Sequence, residues 1–185
     1  MTAPTAVVTG VGRRRGIGAA VSRVLVREGW RVVAWGWPEY DRNAPRAHAE
    51  ADSLDELLAE LEPTGRFQWH EIDLATLGAP RSVVETAAPV DGCVQALVAA
   101  HAESLGGGIL EVTADEFDRH VAVNARTTLL LIGEFARRWR GDPGSGRIVT
   151  FVSGPPLVGE IAYAASKGAI EWLTVSAAAE LAGRE

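Results

Sequence analysis

Tyr163 and Lys167 stand four residues apart in the stretch AYAASKGAIEWL, at the start of an apolar helical pattern. Side chains at that spacing share one helix face. A free phenol releases its proton at about pH 10, too high for efficient proton exchange at neutral pH, and a cation on the same face favours the phenolate. The pair is either an acid with its helper or two residues of an amphipathic helix, and the rest of the chain has to decide. A second stretch, TGVGRRRGIG from Thr9 to Gly18, carries different chemistry. Gly10, Gly12, Gly16 and Gly18 let the backbone turn tightly and approach a pyrophosphate. A helix starting near Ile17 would aim its free N–H groups and positive dipole end at that phosphate.

Both stretches need a scaffold. TAVVTG (Thr5 to Gly10) reads as a buried strand closed by glycine. A helical pattern follows, stopping near Gly29, and RVVAW (Arg31 to Trp35) is a second strand. SLDELLAELE is a short helix with Ser53 as N-cap and Pro63 after its end. RFQWHEIDL is a third strand ending near Asp73, RSVVETA a helix, and CVQALVAA (Cys93 to Ala100) a fourth strand. A long helix follows, capped by Thr113 with Glu116 completing a capping box. RIVTFVS is a fifth strand, and a last helix runs from the Tyr–Lys stretch to about Leu181. Apolar strands alternating with helices mean a parallel sheet covered on both faces. The expected fold is α/β, a doubly wound parallel sheet of the Rossmann type, over a single NAD(P)-binding domain spanning residues 1–185. The glycine loop lies between the first strand and first helix, where such a fold binds a dinucleotide.

Composition narrows the partners. The chain has 185 residues, enough for one core, and a net charge of −6, which gives a nucleic-acid partner no electrostatic support. A lone cysteine, Cys93, allows no internal disulfide and fits a reducing compartment as an inert buried thiol. The N-terminus lacks a basic region followed by an apolar one, and no run reaches the length of a membrane span. A cytoplasmic location is expected. Arg13, Arg14 and Arg15 form a local basic run. Arg15, immediately before Gly16, could hold a 2′-phosphate on the adenosine ribose. No acid stands at Trp35 or Gly36, where the second strand ends, and Glu39 and Asp41 lie further on. This favours NADP(H) over NAD(H).

The order and spacing of TGVGRRRGIG, Asp73-Leu74, VNA (Val123 to Ala125), Val152-Ser153 and YAASK (Tyr163 to Lys167) resemble the short-chain dehydrogenase/reductase family, in its single-domain, 3-oxoacyl-ACP reductase-like branch. The resemblance covers essentially the whole chain. It implies hydride transfer between nicotinamide and a small-molecule carbonyl or alcohol, with Tyr163 as general acid or base. Lys167 would assist Tyr163 and hold the nicotinamide ribose. Ser153 would hydrogen-bond the substrate oxygen, Asn124 would hold a water in a proton relay to Lys167, and Asp73, beside Leu74, would contact the adenine amine. It also implies a homodimer or homotetramer built on the long helix and the Tyr–Lys helix.

Four departures from the family pattern bear on function. Five residues separate Gly10 from Gly16, against the usual three. AAHA (Ala99 to Ala102) stands where the family has NNAG, so His101 either packs or reaches the substrate. Ser153 and Tyr163 are ten apart, a shortened loop stiffened by Pro155 and Pro156. The sequence stops before the family's last strands and substrate lid, which reads as C-terminal truncation and an exposed edge beside the fifth strand. The competing reading is a catalytically silent nucleotide-binding or interaction module. Trp35, Trp37, Trp69, Trp139 and Trp172 are expected to be packing residues, with Trp37 near the adenine.

Overall fold

Successive side chains of a strand point to opposite faces of its sheet, and in this chain both faces are apolar. The computed structural model describes residues 3–43, 53–88, 94–142, 144–154 and 157–182. Cys93, Pro155 and Pro156, to which the sequence assigned roles, lie outside the described residues. The strands are β1 (Thr5–Thr9), β2 (Arg31–Gly36), β3 (Phe67–Glu71), β4 (Ala96–Ala99) and β5 (Arg147–Thr150). They form one parallel sheet in the order β3-β2-β1-β4-β5. In the central register Val7 lies between Val33 and Leu97, and Val8 between Ala34 and Val98.

One face buries Val8, Val32, Ala34, Phe67 and Val98 against Ala19 and Val26 of helix α1 (Ile17–Arg27). The same cluster takes Leu57 and Leu61 of α3 (Leu54–Leu61), whose N-cap Ser53 accepts a hydrogen bond from the Asp55 N–H. The other face buries Val7, Val33, Trp35 and Leu97 against Val83 and Val84 of α4 (Ala79–Ala87) and Leu131 and Phe135 of α6 (Thr127–Arg138). α1 stops where Gly29 adopts φ +88°.

The structure corrects several expectations. A short helix, α2 (Pro38–Asn43), follows β2 where a loop was expected. Pro38 opens it and Glu39 and Asp41 lie in its first turn, both favourable to a helix start. Pro63 does lie after the end of α3, as expected, within a 3₁₀ turn, Glu62–Thr64. β3 ends at Glu71, before Asp73, because the Asp73 carboxylate accepts the Ala75 N–H and turns the chain. β5 ends at Thr150 rather than Ser153, and the Phe151 carbonyl accepts a hydrogen bond from Lys167 instead of a sheet partner.

The long helix is not uniformly α. After α5 (Ala114–His120), with its Thr113–Glu116 capping box, comes a π-helical turn, Val121–Arg126, before α6 resumes. Such wide turns often mark functional sites, and Asn124 lies in this one. The last helix, α7 (Ile161–Ala182), packs on that turn, with Ser166 bonded to Asn124, and buries Ala162, Ser166, Lys167 and Ile170. Trp172 on α7 is 76 % exposed and so is not a packing residue. β5 is an edge strand with Val149 exposed. Among the described residues, no helix is long and apolar enough to cross a membrane.

Candidate active site

A cleft of about 390 Å³ opens at the carboxyl ends of the strands. Gly10, Gly36, Ile72, Ala100 and Phe151, each following or closing one of the five strands, all line it. Its centre lies between β1 and β4, where the strand order changes direction, the usual ligand crevice of an open parallel sheet. One arm extends past Trp37, Tyr40, Asp41, Asp73 and Leu74, and the other past Ser153, Tyr163 and Lys167.

The glycine loop forms the floor. Gly10 has φ +80°, and a Cβ there would lie 2.5 Å from the Ala100 carbonyl group. Gly18 sits so close under the loop that its Cβ would approach Gly10 O to 2.6 Å. Gly18 is therefore a packing position, while Gly10, Gly12, Gly16 and Ile17 line the cleft. No side chain caps α1 at Gly16, so its first-turn N–H groups are left for a ligand.

The shortened loop brings the other group together. Ser153 Oγ lies 3.2 Å from Tyr163 Oη, so ten residues suffice for the serine to reach the phenol. Lys167 Nζ donates to Phe151 O at 3.1 Å and sits 5.6 Å from the Tyr163 ring centroid. Lys167 is 3 % exposed, and burial lowers its pKa to about 8. It remains mainly cationic at neutral pH. Asn124 is fully buried, and its Nδ2 donates to Glu103 O (2.9 Å) and Ser166 Oγ (2.8 Å) while its Oδ1 accepts from Glu103 N (2.7 Å). Both amide donors are thus engaged by protein. Asn124 braces the π-helical turn against Ser166, which in turn donates to Tyr163 O at 2.8 Å.

His101 is a packing residue with both ring nitrogens engaged. Val123 O can only accept, so Nε2 carries the proton and donates to it at 3.0 Å, while Nδ1 accepts from Thr9 Oγ1 at 2.7 Å. The ring ties the ends of β1 and β4 to the π-helical turn. Burial, reinforced by the nearby Lys167 cation, lowers the His101 pKa to about 3. Unfolded chains bind a proton below about pH 6.5 that the folded chain refuses. Stability conferred by neutral His101 is complete above that pH and declines as the pH falls toward 3. Between pH 8 and pH 5 the loss is about 2 kcal/mol. Urea unfolding at the two pH values should show this drop, and His101→Asn should reduce it by that amount; an unchanged drop in the variant would refute the assignment.

The other arm holds residues the sequence reading passed over. Arg119 pairs with Glu103 (3.0 Å) and Asp73 (3.4 Å) and lies 4.8 Å over the Trp37 ring. Tyr40 stacks on Trp37 and accepts the Ser104 N–H at 2.8 Å. Burial raises the Tyr40 pKa. Of the three arginines, Arg13 lines the cleft and pairs with Asp41 at 3.5 Å. Arg14 pairs with Glu56 at 2.5 Å, and Arg15 is exposed. The available clue was the cluster WPEYD following β2, whose helical start was not recognised. Glu103 gave no sequence clue beyond an acid directly after an apolar strand.

Known proteins match this arrangement. The family model for short chain dehydrogenase matches residues 4–185. An uncharacterized oxidoreductase, YjdA of Bacillus subtilis, is 33 % identical over 182 residues, covering 96 % of this chain and 68 % of that protein. Carbonyl reductase (NADPH) 2 of Sus scrofa is 32 % identical, over 95 % of this chain and 65 % of that protein. A crystal structure of 3-oxoacyl (acyl-carrier-protein) reductase from Agrobacterium tumefaciens C58 with NADP bound superposes with a TM-score of 0.76 at 26 % identity, covering 97 % of this chain and 65 % of that one. The chain spans about two thirds of the length of these relatives. With the family model matched over nearly its whole length, the chain belongs to the short-chain dehydrogenase family.

Proposed function

We propose that this chain carries the cofactor-binding and proton-transfer parts of an oxidoreductase that reduces a small-molecule carbonyl or oxidises the alcohol, with NADP(H) preferred over NAD(H). The observation that carries the reading is the contact between Ser153 and Tyr163 in the same cleft as the glycine loop, with Lys167 beside the phenol. Two hydroxyls converging at 3.2 Å define a point where one substrate oxygen could meet both.

The residues fit a nicotinamide dinucleotide. Gly10, Gly12 and Gly16 line the cleft beside the uncapped start of α1, where a pyrophosphate would lie. Asp73 and Leu74 line the arm suited to the adenosine half, and the hydroxyl arm suits the nicotinamide half. The bound nicotinamide supplies the hydride donor or acceptor. Tyr163 gives its hydroxyl proton to the substrate oxygen during reduction and takes it back during oxidation. Ser153 donates a hydrogen bond to that oxygen. Lys167 keeps positive charge beside the phenol and has donors for ribose hydroxyls. Asn124 braces the π-helical turn, its amide donors taken by Glu103 O and Ser166 Oγ rather than by a relay water. The arginine run and relatives named for NADPH support the cofactor preference. The 3-oxoacyl-ACP reductase-like branch is supported by the bacterial structural neighbour, and exposed Leu129, Trp172 and Val175 on α6 and α7 support assembly through those helices.

Titration of the purified chain with NADPH and with NADH, read by tryptophan quenching and energy transfer to the reduced nicotinamide, tests the reading. Saturable binding with NADPH tighter is expected. A folded sample that binds neither cofactor would end it.

A further inference from the structure

Tyr163 stands in the first turn of α7, where a helix is least anchored. Glu160 O accepts the first bond of the helix, from Ala164 N at 2.9 Å, so Tyr163 is only the third helical residue. First-turn N–H groups find no acceptor within their own helix, and helix ends open more readily than middles. Here an acceptor comes from another segment. Gly107 O, in the loop after β4, accepts the Ile161 N–H at 3.2 Å, and Gly107 N donates to Gly159 O at 2.8 Å. These two bonds form an isolated parallel bridge that seats the start of α7 on the β4 loop. Gly159, at φ +74°, turns the chain into it.

The bridge needs a footing, because Gly106, Gly107 and Gly108 bring no side chains of their own to fix the loop. That footing is His120, the buried last residue of α5. Glu116 O can only accept, so Nδ1 carries the proton and donates to it at 2.7 Å, while Nε2 accepts the Leu105 N–H at 3.2 Å. Two residues before Leu105, the Glu103 backbone is held on Asn124. Two residues after it comes the Gly107 bridge. His120 does not line the cleft, so its bonds serve the loop rather than a ligand.

We propose that His120 is a positioning residue for Tyr163: by fixing Leu105 it steadies the Gly107 bridge, which caps the first turn of α7 and keeps the phenol within reach of Ser153. The proposal rests on the proton-transfer role given to Tyr163 above. The contact at stake is the 3.2 Å approach of Ser153 Oγ to Tyr163 Oη. Lys167 lies one turn further on and has its own tie to Phe151 O. Loosening the first turn therefore moves the phenol and leaves the cation in place. Misplacing a reacting group by about 1 Å costs about 10²-fold in rate.

Fluorine NMR of the full chain labelled with meta-fluorotyrosine tests this without a substrate, because Tyr40 and Tyr163 are the two tyrosines of the chain. Tyr163→Phe assigns the lines. Tyr40 accepts the Ser104 N–H, so its line reports on the loop, and the Tyr163 line reports on the far end of the relay. His120→Asn keeps a donor for Glu116 O but is too short to reach Leu105, and it should shift or broaden the Tyr163 line. His120→Gln places an acceptor near the Nε2 position and should restore it. If His120→Asn fails to fold, His120→Met takes its place. With a carbonyl substrate that the wild-type chain reduces, kcat should fall by about tenfold or more in His120→Asn and recover to within about threefold in His120→Gln. NADPH affinity should stay within about twofold of wild type in both, since the glycine loop makes none of these contacts. A Tyr163 line unmoved in His120→Asn, or a change confined to the Tyr40 line, overturns the proposal, because the relay would then stop at the loop. Equal changes in His120→Asn and His120→Gln also overturn it, because lost packing of the imidazole would be the cause. These outcomes leave the oxidoreductase reading standing, whereas a folded wild type that binds neither NADPH nor NADH overturns that reading and this proposal with it.

Discussion

Tyr163→Phe should abolish most of the turnover of any carbonyl substrate that the wild-type chain reduces, by about 10²–10⁴-fold, while leaving NADPH affinity within about twofold. The substitution removes one oxygen and keeps the ring, so the buried residues of α7, Ala162, Ser166, Lys167 and Ile170, stay in place. What disappears is the hydroxyl proposed as proton donor, which is also the partner of Ser153 Oγ at 3.2 Å. Ser153→Ala should lose less, because one hydrogen bond to the substrate oxygen goes while the proton source stays. The split between binding and turnover is the informative quantity. A silent nucleotide-binding module would show wild type and Tyr163→Phe binding cofactor alike with no turnover in either. A structural role for the hydroxyl would weaken cofactor binding and lower the unfolding midpoint together. Steady-state rates with Tyr163→Phe within about threefold of wild type would remove Tyr163 from the chemistry.

The contrast between what could and could not be read from the residues has a physical basis. Strand β1, helix α1 and the loop between them follow from local rules. An apolar run closed by glycine must be buried, and an uncapped helix start after it must find acceptors. The Thr113–Glu116 box and the Ser53 cap are equally local, and both are present. The π-helical turn was not readable, because its cause is tertiary. Asn124 exchanges hydrogen bonds with Glu103, twenty-one residues away, and with Ser166, forty-two away. No window along the chain contains both partners. Trp172 failed for a related reason. Aromatic residues are usually buried in part, but the buried stripe of α7 runs through Ile170 and leaves Trp172 on the far side. The Arg13–Asp41 pair depends on α2, so a missed six-residue helix became a missed pair of cleft residues. His101 shows the opposite case. Its sequence context left packing and substrate contact both open, and the two hydrogen bonds to Thr9 and Val123 account for the ring completely.

Gly10→Ala should destabilise the fold far more than Gly29→Ala, although both glycines have positive φ, +80° and +88° respectively. The left-handed backbone penalises any Cβ by about 1 kcal/mol or slightly more, and both variants incur it. At Gly29 nothing lies within 4 Å of the added atom, so that penalty is nearly the whole effect. At Gly10 the Cβ would lie 2.5 Å from the Ala100 carbonyl carbon and oxygen and from His101 N. These are backbone atoms of the chain leaving β4, paired to β1 through Ala100 N and Thr9 O at 3.2 Å. No rotamer change can move them. Relief requires β1 and β4 to separate at the end of the cleft, where the His101–Thr9 bond also holds them. Overpacking of this kind costs about 1–3 kcal/mol beyond the backbone penalty, for a total near 3 kcal/mol. Chemical denaturation of wild type and both variants measures the difference directly. Equal losses at the two positions would mean that the Gly10 approach to β4 is looser than described, and the glycine would then be kept for backbone angle alone. A larger loss at Gly10, with cofactor affinity falling in the protein that remains folded, would tie the close approach of Gly10 to the end of β4 to the shape of the glycine loop.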